Sequence, residues 1–224
     1  MILFCLAFKC IQVQIIGHIP PGTNDCIQMW SLNFNRIINR FAHIIKGQFY
    51  GHTHNDEFEI FYEKNKYSHE NEYKATNVAY IGPSITTFGN VNPGYRIYTI
   101  AEDTFDIVDH HTYFLNLTEA NLHRDGRPLK FAKAYSAKVA YNLKTLSPNE
   151  WHKMVLRMNV AHKKGDKYKE AKKLFRQFYQ HFYNLSDDIP EDSQCNTVSC
   201  NYEILCRLLT AYSHDTTICR HFLL

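Results

Sequence analysis

Two apolar segments near the start of the chain each end in a glycine followed by a histidine, and a helical pattern separates them. Residues 11–17 (IQVQIIG) alternate and are rich in β-branched side chains, which predicts a strand, and residues 48–52 predict another. Between them, apolar residues recur at steps of three and four, the pattern of an amphipathic helix that Gly47 closes: Trp30, Phe34, Ile37, Ile38, Phe41, Ile44 and Ile45. This order predicts a layered α/β arrangement for the first part of the chain.

The predicted secondary structure changes from strands to helices near residue 118. Before it, further strands are predicted at 57–63, 77–83, 95–101 and 106–117. After it, four helices are predicted, the second beginning with a capping box at Ser147 to Glu150: 130–143, 147–160, 169–184 and 201–212. We therefore expect an α/β (α+β) chain with a strand-rich domain at 1–118 and a helical subdomain at 119–224.

Composition limits the class of protein. The 224 residues are enough for one core with a small appendage, and a net charge of +3 is too weak a bias to indicate a nucleic-acid partner. No apolar run approaches the length of a membrane span. The initial MILFCLAF lacks a basic region and a clear cleavage site, so we interpret it as a chain start inside a domain and not as a signal peptide. Nothing in the sequence indicates an oligomeric state.

Four of the seven cysteines crowd into the last thirty residues. No C-x-x-C pair occurs there, so two short disulfide loops are favoured over a zinc knuckle: Cys195–Cys200 and Cys206–Cys219. Two N-glycosylation triplets, at Asn116 and Asn184, agree with the oxidising compartment that such bonds require. We expect a secreted or lysosomal glycoprotein. The odd count leaves at least one unpaired thiol among Cys5, Cys10 and Cys26.

The histidines at the two strand ends are the candidate site. His52 and His54 are two residues apart, and in an extended chain such residues point to the same side with α-carbons roughly 6.5–7 Å apart. Paired catalytic metals lie about 3.5–4 Å apart, so each ring could reach one ion. Gly51 would let the backbone approach the site, and His18 follows the first strand in the same way. A lone histidine is more often a surface or core residue, but three at glycine-flanked strand ends favour a metal site.

A second candidate, Asp109-His110-His111, fits the D-x-H pattern of two-metal phosphoesterases. It lies inside an alternating strand, so we expect one of these side chains to face solvent instead of a metal.

Three longer motifs occur in order and carry a family resemblance: QIIGHIPPG, FYGHTHNDEFEIFYE and VAYIGPSITTFGNVNPGYRIYTI. Followed by the triplet NLT and a cysteine-rich helical end, they resemble the acid sphingomyelinase family from about residue 11 onward. The resemblance implies part of a calcineurin-like metallophosphoesterase β-sandwich flanked by helices, with two zinc ions, followed by a helical subdomain. It also implies hydrolysis of sphingomyelin, or a related phospholipid at a membrane surface, to ceramide and phosphocholine.

The resemblance also assigns roles by position. It implies that His18 and His52 bind one zinc and His54 the other, with Phe88 near the phosphocholine pocket. It matches the two disulfides above to the terminal disulfides of the family. It further implies that Cys26 pairs with a cysteine upstream.

Other family motifs do not occur before His18: the amino-terminal D-x-H, the bridging aspartate and the Asn-His pair. We therefore expect a truncated form that holds half of the two-zinc site, has no catalytic residue of its own and is inactive alone. Two alternatives stay open, a non-catalytic secreted zinc- or lipid-binding remnant and a nucleotide phosphodiesterase of the related class.

Overall fold

The computed structural model describes residues 12–64, 72–122, 128–188, 195 and 197–223. The first part is one four-stranded sheet with a helix: β1 (Val13–Ile16), α1 (Gln28–Arg40), β2 (Ile45–Tyr50), β3 (Glu57–Lys64) and β4 (Tyr73–Ile81). The order across the sheet is β1-β2-β4-β3. Strands β1, β2 and β4 are parallel and β3 is antiparallel to β4, so three strands end at the same edge of the sheet.

A second, antiparallel sheet follows in the order β5 (Gly94–Ile100), β6 (Ile107–Phe114) and β7 (Ala132–Ser136). Within the described ranges, six more helices complete the fold, with a 3₁₀ turn at Asp166–Tyr168: α2 (Leu117–Leu122), α3 (Ala137–Tyr141), α4 (Pro148–Met158), α5 (Lys169–Phe182), α6 (Val198–Leu209) and α7 (Thr217–Leu223). The expected mixed fold is confirmed, with strands first and helices dominating the end.

The main core joins the sheets to the late helices. Trp151 of α4 packs on Phe58 with ring centroids 4.3 Å apart, and its indole N–H donates to Tyr80 Oη at 3.1 Å. Phe178 of α5 and Leu205 of α6 belong to the same buried cluster. Residues on both sides of position 118 thus share one core, while the division into domains at that position stays a prediction.

Two helix predictions were wrong, one in where the helix ends and one in the type of secondary structure. The helix expected to continue to Ile45 ends at Arg40, and Ile45 begins β2. The helix expected at 130–143 is instead the strand β7 followed by the short helix α3. The first half of that segment pairs with β6, where Tyr135 lies opposite Thr112, and this tertiary pairing overrides local helix propensity.

The start of α4 is close to the expected one. Pro148 occupies the first turn and Ser147 is the N-cap residue, but the Ser147 side chain makes no capping hydrogen bond. Its hydroxyl accepts from Thr145 Oγ1 at 3.0 Å, and Glu150 accepts instead from the Lys144 amide. The capping box is therefore wrong in its contacts and right in its position.

Both predicted disulfides are confirmed. Cys195–Cys200 closes the segment that enters α6, with α-carbons 5.2 Å apart. Cys206–Cys219 ties α6 to α7, with α-carbons 5.1 Å apart. The late helices are thus cross-linked to one another. In the described part of the chain, no helix has both the length and the apolar character needed to cross a membrane.

Candidate metal centre

The carboxyl edge of the parallel strands gathers the loops that carry the predicted ligands. The Gly17 amide donates to Phe49 O, the Gly51 amide to His18 O, and the Gly82 amide to Tyr50 O, each at 3.0 Å. These bonds extend the sheet ladder beyond the strands and hold the loop after β1 against the loop after β2. Ligands in layered α/β folds collect at this edge.

His18 and His52 are brought together at this edge. Their ring centroids are 5.2 Å apart and the ring planes are nearly perpendicular, at 80°. Two imidazoles bound to one tetrahedral zinc, each about 2.0–2.1 Å from the ion, place their centroids roughly 5 Å apart. A β-carbon at Gly51 would stand 4.0 Å from His18 Nδ1, an ordinary van der Waals contact, so the expected need for glycine at this position is not borne out by space alone. The donor set and the spacing therefore fit one shared zinc ion.

The loop that carries His52 and His54 is strained and not extended. Strand β2 ends at Tyr50, and the Thr53 amide donates to Gly51 O at 2.9 Å, which closes a γ-turn on His52 with φ of 74°. His54 also has a left-handed φ, of 63°. The extended backbone expected at His52 and His54 is thus wrong. A left-handed backbone at a non-glycine residue is locally unfavourable and persists where surrounding contacts hold it, which is common at functional sites.

Each histidine of this loop has its second ring nitrogen occupied. His52 Nε2 lies 2.8 Å from Asp25 Oδ2, and His54 Nδ1 lies 3.0 Å from Phe88 O. A carbonyl or carboxylate oxygen accepts, so these ring nitrogens donate. The arrangement leaves His52 Nδ1 and His54 Nε2 for a metal. Metal-binding histidines have such outer partners, which fix the tautomer and aim the ring.

Sequence reasoning missed Asp25 as a member of this site. It lies in the turn after the Pro-Pro-Gly break, where no periodicity or spacing distinguishes one acidic residue from another. Phe88 lies beside His54. Its side chain is 79% exposed and its ring centroid is 5.7 Å from that of His54. Its role in binding a substrate stays a prediction.

A buried ion pair anchors the loop after His54. The Asp56 amide donates to Phe182 O at 3.0 Å, which fixes the loop to the end of α5. The Asp56 carboxylate accepts from the Arg96 guanidinium, from Thr112 Oγ1 at 2.9 Å and from Tyr135 Oη at 2.6 Å. These contacts join the histidine loop to the second sheet.

The loop after His18 rests on a buried carboxyl group. The Gly22 amide donates to Glu59 Oε2 at 2.9 Å, and a β-carbon on Gly22 would come within 2.3 Å of Thr210 O, so glycine is required. Burial raises the pKa of Glu59 well above its usual value, and burial also raises the pKa of Glu57. Arg207 opposes that shift through its 2.9 Å contact with Glu57 Oε1. The loop therefore rests on a carboxyl group that favours its neutral form.

Over the described ranges, no cluster of three or more His, Cys, Asp and Glu side chains is arranged to hold a metal ion. The structure brings together His18 and His52 and places His54 beside Phe88. The three-histidine set remains a prediction for the complete two-zinc site.

The D-x-H segment in β6 has a structural role in this fold. Asp109 accepts from Ser136 Oγ at 2.5 Å and from the Lys138 amide at 3.1 Å, which fixes the start of α3. His110 is buried among aromatic rings, and burial lowers its pKa well below the usual value. None of the three side chains is fully exposed to solvent, as one of them was expected to be. His110 is buried, and Asp109 and His111 are half-buried.

The two glycosylation triplets differ sharply. Asn116 is half-buried, its Oδ1 accepts from the Glu119 amide at 3.0 Å, and its Nδ2 donates no hydrogen bond within the described residues. Asn184 is 1% exposed, and its Nδ2, the atom that would carry a glycan, donates to Asn92 O. The prediction of a glycan on Asn184 therefore conflicts with the fold, while that on Asn116 stays a prediction.

Cys26 is buried, and among the described cysteines it alone has a free thiol. Its Sγ donates to Pro20 O at 3.3 Å, within the loop that follows His18. An upstream disulfide partner for it stays a prediction.

Parallel strands with paired histidines at their carboxyl edge define a layered α/β protein with a candidate metal site. Residues 70–219 match the family model described as the acid sphingomyelin phosphodiesterase C-terminal region, and the chain belongs to that family. It is 37% identical over 214 residues to the sphingomyelin phosphodiesterase of Bos taurus, covering 94% of this chain and 31% of that protein. Against the Homo sapiens sphingomyelin phosphodiesterase it is 37% identical over 217 residues, with 95% and 31% covered.

A relative with lower sequence identity is named for a different phosphodiesterase activity. The chain is 25% identical over 225 residues to the cyclic GMP-AMP phosphodiesterase SMPDL3A of Rattus norvegicus, covering 94% of this chain and 45% of that protein. The chain thus spans about a third of the length of the sphingomyelin phosphodiesterases that it matches, at 31% of each.

Proposed function

We propose that this chain provides the histidine ligands of a two-zinc site that hydrolyses sphingomyelin to ceramide and phosphocholine. The contact between His18 and His52, 5.2 Å between ring centroids at the carboxyl edge of a parallel sheet, carries the proposal. These two residues would hold one zinc and His54 the other. When bound, zinc activates water as a nucleophile and polarises phosphoryl oxygens.

The residues of this chain position the ligand rings. Asp25 and the Phe88 carbonyl hold the tautomers of His52 and His54, so that Nδ1 of the first and Nε2 of the second would be available to bind the metals. The strained γ-turn keeps both rings at the sheet edge without an extended strand. The buried Asp56 contacts hold this turn in place.

Two further features support a phospholipid substrate. The sphingomyelin phosphodiesterases are more similar to this chain than the cyclic dinucleotide enzyme is, at 37% against 25% identity. Phe88 offers an exposed aromatic face beside His54, and aromatic faces attract quaternary ammonium groups such as choline. The disulfides support a secreted or lysosomal location.

This chain alone is proposed to be inactive. A two-metal site needs a bridging carboxylate to hold two cations close together and to assist deprotonation of the attacking water. Among the described residues, no group of three or more His, Cys, Asp and Glu side chains is placed to hold a metal ion, and Asp25 contacts His52 as a hydrogen-bond acceptor. Purified chain should therefore bind zinc weakly and leave sphingomyelin intact, and robust zinc-dependent turnover would refute the claim of inactivity.

Zinc binding is tested by thermal unfolding of the full chain with and without added zinc. Binding to the native state alone raises the melting temperature. We expect zinc to raise it in the wild type, His18→Ala and His52→Ala to abolish the rise, and His54→Ala to reduce it. His43→Ala, at an exposed position, is the matched control. An equal rise in all four variants would show that the site lies elsewhere.

The activity is tested in a hybrid that joins the upstream part of the Bos taurus enzyme to this chain at the matched boundary. We expect the hybrid to hydrolyse sphingomyelin, and its His54→Ala variant to lose nearly all turnover. A hybrid that cleaves cyclic GMP-AMP in preference to sphingomyelin would support the nucleotide alternative. A folded, zinc-binding hybrid that cleaves neither substrate would support the non-catalytic remnant.

A further inference from the structure

A cleft opens near the amino end of β2, away from the candidate metal centre. Its volume is about 510 Å³, within the range of roughly 300–1,000 Å³ that is typical of small-molecule sites. Ile45, the first residue of β2, lines the cleft, whereas the histidine loop follows Tyr50 at the other end of the strand. The six residues of β2 separate these two ends by roughly 17 Å. The cleft is therefore a second place on the molecule, distinct from the metal centre.

The floor of the cleft is apolar and belongs to the packed core. Its apolar residues come from both sheets and from the segment before α4, and all are buried: Ile45, Val78, Tyr80, Ile107 and Leu146. Asn77 also lines the cleft, and its side chain is fixed because Oδ1 accepts from Gln48 Nε2 at 2.8 Å and Nδ2 donates to Ile45 O at 2.9 Å. Such a floor is formed before any ligand arrives.

The rim of the cleft carries hydrogen-bond donors. Lys46 and Lys138 line it and are half-buried, and Ser147 lines it at an exposed position. Lys46 Nζ donates to Asp106 Oδ1 at 2.9 Å. Among the described residues, Lys138 has no acidic partner for its ammonium group, and the Ser147 hydroxyl accepts from Thr145 and has no acceptor for its own proton. The rim thus has donors that an acceptor from outside could satisfy.

The charge balance of the rim favours an anion. Asp106 is the one acidic residue among the described residues that line the cleft. The hydrogen bond from Lys46 lowers the pKa of Asp106, so this carboxylate is ionised at neutral pH and offsets the charge of Lys46. Lys138 therefore leaves one positive charge beside an apolar floor. A ligand that complements both features carries an anionic head group on an apolar body.

We propose that this cleft binds a small organic anion, namely a carboxylate, sulfonate or phosphate monoester attached to an aromatic or aliphatic body. Lys138 pairs with the head group and Ser147 donates to it, while the body lies on the floor against Val78 and Leu146. The proposal uses neither the histidines nor a metal. It therefore stands or falls independently of the proposed hydrolysis of sphingomyelin.

Calorimetric titration of the full chain with 2-naphthalenesulfonate tests the proposal. A chelator is present, so that no metal can hold the anion. The neutral 2-naphthalenesulfonamide has nearly the same shape, and inorganic sulfate has the charge without the apolar body. We expect saturable binding of one naphthalenesulfonate per chain and at least tenfold weaker binding of each of the other two compounds.

Charge variants at the rim test where the anion binds. Lys138→Ala should weaken binding of the naphthalenesulfonate about tenfold, because it removes the uncompensated cation. Lys133→Ala makes the same change in net charge at an exposed position outside the cleft and should bind like wild type. Asp106→Asn frees Lys46 and should tighten binding roughly threefold, whereas Asp187→Asn, also exposed and outside the cleft, should have no effect.

Several results would overturn the proposal. Absence of saturable binding would remove the site, and equal binding of the sulfonamide or of sulfate would refute the proposed ligand class. Equal losses in Lys138→Ala and Lys133→Ala, or unchanged affinity in Asp106→Asn, would place the anion elsewhere. Circular dichroism of all four variants verifies that each is folded. Failure of the zinc or hybrid experiments would leave these titrations unchanged, because they contain neither metal nor sphingomyelin.

Discussion

His52 Nε2 and Asp25 Oδ2 lie 2.8 Å apart and join the loop after β2 to the loop after β1. The contact fixes which nitrogen of His52 carries the proton and leaves Nδ1 without a partner in that contact. Asp25 is largely exposed, so this hydrogen bond contributes little to the stability of the fold. Its importance lies in orienting a ligand ring.

Asp25→Asn should therefore weaken zinc binding more than it weakens folding. Outer partners of metal-binding histidines change metal affinity by about 10–100-fold when they are removed. Titration with zinc, followed by calorimetry, measures the affinity, and chemical denaturation without zinc measures stability. Asp187→Asn, at an exposed position, is the matched control. Unchanged affinity in Asp25→Asn would remove Asp25 from the site.

Arg96→Met should be strongly destabilising. The pair between Arg96 and Asp56 is almost fully buried, and removing the cation leaves a carboxylate without its partner inside the core. Breaking a buried pair from one side costs about 3–5 kcal/mol of the free energy of unfolding. Urea denaturation of the full chain measures this loss.

Arg207→Met is the comparison for that experiment. Its guanidinium side chain is 46% exposed, and its partner Glu57 already has a pKa raised by burial, so Glu57 can become neutral when the arginine is lost. A smaller loss of stability is expected. Equal losses in the two variants would show that burial of the pair is not the deciding factor.

The sequence predicted the positions of the site histidines and not their geometry. The glycine-histidine pattern after two strands was sufficient to place His18 and His52 at one sheet edge, because parallel strands end together. The γ-turn at His52 could not be predicted, since a left-handed histidine is locally unfavourable and depends on tertiary contacts such as the Asp56 anchor.

The same limit applies to the fold. Cysteine spacing indicated both disulfides, because short loops restrict which cysteines can meet. Strand β7 was mistaken for a helix since its alanines and lysines favour helix locally, and only pairing with β6 makes it a strand. The triplet at Asn184 predicts a glycan but carries no information about burial, and Asn184 is buried.

Stability should fall as the pH drops from neutral toward 4, because of His181. Burial lowers its pKa to about 4, against an unfolded value of 6.5. The unfolded chain binds the proton more readily, so the stabilising contribution is complete above pH 6.5 and is lost as the pH falls through the folded pKa. The shift corresponds to about 3 kcal/mol.

Urea denaturation across this pH range measures the effect. His181→Gln removes the titrating ring and should flatten the slope of stability against pH, even though it also loses the 2.8 Å contact with Tyr141 Oη and is less stable overall. His43→Gln, at an exposed position, should retain the wild-type slope. An unchanged slope in His181→Gln would assign the pH dependence to other groups.

Glu59 should give the opposite dependence of stability on pH. Its folded pKa lies well above the unfolded value because the carboxyl group is buried beneath Gly22, so its contribution is complete below the unfolded pKa and is lost as the pH rises through the folded pKa. Glu59→Gln keeps an oxygen that can accept from the Gly22 amide and carries no charge. The variant should match wild type in acid and be more stable near pH 7, and lower stability at both pH values would contradict the prediction.

Glycosylation should occur at Asn116 and not at Asn184. The Asn116 side-chain nitrogen has no recorded partner in the described structure, and its oxygen caps the start of α2, so a glycan fits without loss of the cap. The Asn184 nitrogen is buried against the Asn92 carbonyl, where a glycan would exclude the native packing. Chain expressed in a secretory cell should therefore lose the mass of one glycan on enzymatic deglycosylation. Asn116→Gln should abolish this mass change and Asn184→Gln should leave it in any folded product; two glycans on folded wild type would contradict the placement of Asn184.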